Sequence, residues 1–160
     1  MKQTEYLNRD RAARPEWTRQ RLMAEELKMA KQAETAEREH ADNGLPRLAA
    51  SDRVSARASR ERASLLLYGA RNDYERGRAA YHAMRERNLA RLLTEDADAI
   101  ISDLPRRAQF LDDAAGARVE ADLFAEMASG ATPIYIETDE EQIVAAQRAR
   151  RAALLAQVGR

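Results

Sequence analysis

The side chains best suited to chemistry in this chain are arginines. Arg53, Arg57, Arg60 and Arg62 lie close together, with only Asp52 and Glu61 as neighbouring acids. At helical spacing Arg53, Arg57 and Arg60 share one face, a geometry that can grip phosphates or acidic partner groups. No aromatic residue is interleaved with them and no recognition motif follows. The same row therefore also suits a solvated face or a salt-bridged protein surface. The second candidate is the acidic block Glu95, Asp96, Asp98, Asp103, Asp112 and Asp113, whose oxygens could hold a divalent cation. It lacks the glycine and terminal glutamate of a calcium loop, and several of its members sit where helix caps and first-turn acids belong. His40 and His82 have no histidine three or four residues away, so no zinc pair is encoded. There is no cysteine, which excludes thiolate chemistry. No serine stands in a nucleophile elbow and no glycine-rich phosphate loop exists. No catalytic, cofactor or metal residue is assigned, and the expectation is a protein that is not an enzyme.

The elements that would position these groups are helical. Residues 1–14 read as a polar arm, and 15–160 as a single helical domain. Pro15 suits a first turn, and the run from Glu16 to Ala41 holds no glycine or proline before Asn43-Gly44 stops it. A first helix is expected over about 16–42. A long central helix, capped by Ser51 or Asp52, is expected over about 52–94. Within it Ala63, Leu67, Ala70, Tyr74, Gly77, Tyr81 and Met84 alternate in steps of four and three, the spacing of a heptad seam. Gly77 between two tyrosines would let an opposing helix approach closely. The stripe then moves to Leu89, Leu92 and Leu93, which suggests a bend near Arg85–Asn88, and Gly69 and Gly77 make a break possible. Thr94 to Asp98 reads as a cap. A third helix is expected over about 105–128, with Phe110, Ala114, Ala117, Ala121 and Phe124 along one seam and Gly130 as its stop. Thr138 and Glu141 form a capping box for a last helix over about 139–158. The segment 133–137 is the one strand-like stretch, and Ile134, Tyr135 and Ile136 are candidates for strand addition to another chain. The fold class is all-α, with three to four helices and one short extended segment.

Composition limits the core. Alanine supplies 33 of the 160 residues, while Leu, Ile, Val and Phe together number 27, or 17%. A chain so rich in small side chains buries little area per residue and gains from covering its faces with partners. Its net charge of zero hides a sorted distribution. Residues 1–50 carry 10 basic and 9 acidic groups, 51–94 carry 10 and 5, 95–142 carry 3 and 13, and 143–160 carry 4 and none. Such fields can steer a partner or a second copy of the chain. The acidic third helix can also pair with Arg148, Arg150 and Arg151, which leaves the Arg53–Arg62 stretch and part of the acidic block unneutralised.

These readings lead to a non-enzymatic assembly or adaptor protein, packing through the 63–84 seam against copies of itself or larger partners. Small, cysteine-free chains rich in Ala, Arg and Glu occur among phage virion and connector components. Two alternatives are a nucleic-acid-binding accessory protein acting through Arg53, Arg57 and Arg60, and an acidic inhibitor of a basic groove. The N-terminus has no signal-peptide core and no apolar run approaches a membrane span, so a cytoplasmic or virion-associated protein is expected.

Overall fold

The computed structural model describes residues 17–136, and beyond them Arg148, Ala152 and Ala156, which are helical. The described residues form four helices: α1 (Arg19–Asp42), α2 (Pro46–Tyr68), α3 (Asp73–Ala99) and α4 (Leu104–Ala128). No strand occurs among them. The expected polar arm and the helix over 139–158 lie outside them, apart from those three residues.

Local signals account for most boundaries. Thr18 Oγ1 accepts from the Arg21 amide at 3.2 Å and caps α1. At its other end Gly44 takes φ +70°, with the Gly44 amide on the Ala41 carbonyl and the Leu45 amide on that of His40. That paired closure satisfies the last carbonyls of the helix, and glycine holds the left-handed position without steric cost. Pro46, with no amide hydrogen to lose, then opens α2. Ser51 and Asp52 are therefore interior to α2 and do not cap it. Asp103 caps α4 by accepting from the Arg106 amide at 3.1 Å. The Thr94–Asp98 stretch is no cap, because α3 runs through it to Ala99.

The expected helix over 52–94 is two helices. Gly69 turns to φ +73° and its amide bonds the Leu65 carbonyl at 2.8 Å, closing α2. Asn72 then caps α3, its side chain accepting from the Glu75 amide at 2.8 Å. Glu75 reaches back to the Arg71 amide at 2.7 Å, so the break is capped on both sides. Arg19 adds a third hold, donating from Nε to the Leu66 carbonyl and from Nη2 to that of Leu65. A guanidinium on the last carbonyls of a helix neutralises its negative end. Gly77, the other expected break, stays inside α3, and no interruption falls at 85–88.

The chain divides into two compact units. One holds residues 17–23 and Ser64–Ile134; the other holds Ala24–Ala63 with Tyr135 and Ile136. In the first unit α3 packs against α4. Its core is Leu22, Leu65, Leu66, Ala79, Ala83, Val119, Phe124 and Ala128, with Trp17, Met23 and Met127 packed on it. The seam expected along α4 is buried at each of its five positions, Phe110, Ala114, Ala117, Ala121 and Phe124. Gly116 sits beside that seam for a steric reason: a Cβ there would stand 2.8 Å from the Trp17 ring. Among the described residues of the second unit the buried apolar groups are Ala30, Ala49, Val54, Ala56 and Ala63.

Candidate functional site

In the second unit the arginine row of α2 faces the glutamates of α1. Arg53 Nε lies 2.7 Å from Glu37 Oε1, Arg60 Nε 2.6 Å from Glu34 Oε1, and Arg62 Nε 2.9 Å from Glu26 Oε1. His40 Nδ1 and Asp52 Oδ2, 2.5 Å apart, continue the row toward the turn. This corrects the expectation that the Arg53–Arg62 stretch stands unneutralised. The acids that neutralise it come from the preceding helix, because the Gly44 turn folds α1 back along α2. Of the three arginines expected to share a contact face, Arg57 alone is exposed with no ion pair among the described residues.

The pairs differ in depth. Glu26 is 1% exposed and Arg62 15%, whereas Arg60 is half exposed. The Arg60 guanidinium, hydrogen-bonded to Glu34, holds that carboxyl below its ordinary value and is itself raised by it. A carboxyl with a lowered folded-state pKa contributes stability that is present above its unfolded pKa and lost as pH falls through the lowered value. The stability difference between the wild type and Glu34→Gln is therefore expected to be present at pH 7 and to vanish on acidification below the ordinary carboxylate range. Denaturant titrations of both chains at several pH values check this; a difference independent of pH would contradict it.

The heptad seam does not survive as one stripe. The Gly69–Asn72 turn falls in its middle and puts Ala63 and Leu67 on a different helix from Tyr74, Gly77, Tyr81 and Met84. Ala63, Gly77 and Tyr81 are buried, and Ala70 and Met84 half-buried. Leu67 and Tyr74 are exposed, at 54% and 53%, and Tyr68 joins them at 62%. These three large apolar groups flank one turn. The Arg71 guanidinium stands 5.1 Å from the Tyr68 ring centroid. Two more exposed apolar groups are Ile101, within the α3–α4 connection, and Leu104, the first residue of α4.

What meets Gly77 is a segment of the same chain. The Ile134 amide donates to the Gly77 carbonyl at 3.0 Å, and Arg78 Nη1 donates to the Ile134 carbonyl at 2.8 Å. A Cβ on residue 77 would stand 2.5 Å from Ile134 Cδ1 and 3.1 Å from the Thr132 carbonyl oxygen. Glycine is there to admit the isoleucine. Tyr135 is 47% exposed, and Ile136 is half-buried.

Sequence reasoning missed a polar row on α3. Arg78, His82 and Glu86, four residues apart, are all buried, as are Glu120 and Asp122 of α4. The His82 ring meets Tyr81 edge-on at 5.3 Å and tilts over Phe124 at 5.7 Å. Glu86 and Glu120 bring carboxylate oxygens within 4.8 Å of each other. Each of these polar residues is engaged by a partner. The signal was the i, i+4, i+8 spacing, hidden because the apolar seam beside it looked like the buried face.

No helix among the described residues is long and apolar enough to cross a membrane. No protein-family model matches the chain, and no curated protein or solved structure does so either.

Proposed function

We propose that this chain is a non-enzymatic helical assembly or adaptor protein, packing against copies of itself or larger partners, of the type found in phage virions and connectors. The observation that carries this is the exposure of Leu67, Tyr68 and Tyr74 around the Gly69–Asn72 turn. Aromatic residues with Arg71 between them are the composition that protein interfaces favour. The alanine-rich composition argues the same way, since small side chains bury little area internally and leave much to be gained at an interface. The pairing of Arg53 and Arg60 with glutamates of α1 weighs against the phosphate-gripping alternative, since a carboxylate already offsets the charge of each guanidinium.

Sedimentation tests the proposal. The wild type is expected to exceed the 18.0 kDa of one chain, and Tyr74→Glu or Leu67→Glu to lower that mass without loss of helix. Both positions are exposed, so neither change disturbs the core. Gly77→Glu would not be a clean probe, because Ile134 already fills that space. A folded monomer indifferent to both changes would remove self-assembly. Salt-labile binding of duplex DNA that disappears in Arg57→Ala would favour the nucleic-acid alternative instead.

A further inference from the structure

Two features of the first unit combine at the end of α4. The Gly77–Arg78 step forms a seat that uses every recognisable part of one residue. It takes the Ile134 amide on the Gly77 carbonyl, the Ile134 carbonyl on Arg78, and the side chain in the space left by the missing Cβ. Arg78 is itself fixed, 3% exposed and stacked 4.6 Å from the Tyr81 ring centroid. The chain reaches this seat through a sharp reversal of two consecutive left-handed residues, Ser129 at φ 47° and Gly130 at φ 77°. The turn is held by the Ala131 amide on the Ala128 carbonyl and by Ser129 Oγ on that of Glu126. Left-handed backbone is unfavourable for a residue with a side chain, so Ser129 stores strain that an opened turn would release.

A residue-sized seat filled from the same chain across a strained, short hinge is the arrangement from which segment exchange starts. We infer that the Gly77–Arg78 seat is an interchain binding site whose partner is the Ile134 segment of a second copy, delivered when the Ser129–Gly130 turn opens. The contacts are the same in both states. At the seat only the origin of the segment differs, and the exchanged state gains by losing the left-handed turn. The inference rests on the self-assembly reading and names one route for it.

The test is the mass of full-length hinge variants. Proline locks φ near −65° and cannot take the Gly130 conformation; valine is a milder block that keeps the amide. Gly130→Pro or Gly130→Val, with helix retained by circular dichroism, is expected to be heavier than wild type at the same concentration. Adding Ile134→Ala to either is expected to return the mass to the wild-type value. If the proline variant does not fold, the valine variant decides. A hinge variant with the wild-type mass, or a raised mass that persists without Ile134, would overturn exchange through this seat. A wild type heavier than one chain whose mass ignores the hinge leaves self-assembly standing and removes this route, so the two failures are distinct.

Discussion

Phe124→Ala is expected to destabilise the chain by about 3–5 kcal/mol. Phe124 has no exposed surface and lies at the centre of the first unit's core, beside Leu66, Val119 and Ala83 and against the His82 ring. Few neighbours can move in to fill the space, because alanines supply three of the eight residues in that cluster. A short side chain fixed to helix backbone cannot reach into a cavity, so most of the lost volume stays empty. Against a total stability of roughly 5–15 kcal/mol for a domain this is a large fraction. Denaturation followed by helical circular dichroism is the measurement, with Leu104→Ala as the control. Leu104 is 65% exposed, and its truncation is expected to stay within about 0.5 kcal/mol. A cost below about 1 kcal/mol at Phe124 would mean the core is not packed around it.

The second large effect is electrostatic. Arg62→Met is expected to cost about 3–5 kcal/mol, because it strips the guanidinium from a carboxylate that is 1% exposed. The loss also removes the bond from Arg62 Nη2 to Ser59 Oγ at 3.1 Å. The diagnostic is the double substitution. Glu26→Gln placed on Arg62→Met is expected to recover most of the stability, since a neutral amide no longer needs the missing cation. Arg60→Met breaks an ion pair of similar length at the surface and is expected to cost much less than Arg62→Met, because water already screens both groups. Equal costs at Arg60 and Arg62 would refute the assigned difference in depth.

These two residues mark the limits of what could be read from the sequence. Phe124 was placed on the buried seam of its helix from spacing alone, because an apolar period on an uninterrupted helix is a local property. The stops at Gly44 and Gly130 were legible for the same reason. Arg62 was legible as a charge and not as a buried one. Its partner lies 36 residues earlier, and no pattern within α2 says which face α1 will cover. His82 and Glu86 were missed likewise: a polar row is buried only if the opposing helix supplies polar groups, and those come from α4.

Gly69 and Gly77 put the division most plainly. The sequence by itself determined an all-helical chain with a core poor in large side chains, because periodicity, capping residues and composition act over a turn or two of backbone. It held two glycines eight residues apart in one helical run, and nothing local separates them. Tertiary structure separated them. Gly69 ends a helix because Arg19 and the Asn72 cap receive the freed backbone groups. Gly77 stays helical because Ile134, far along the chain, needs the room. The arginine row was settled in the same way, its charges set by composition and its partners by the direction in which the Gly44 turn folded α1. Local free energies choose the elements. Which faces they cover depends on contacts between residues too distant in sequence to leave a periodic trace.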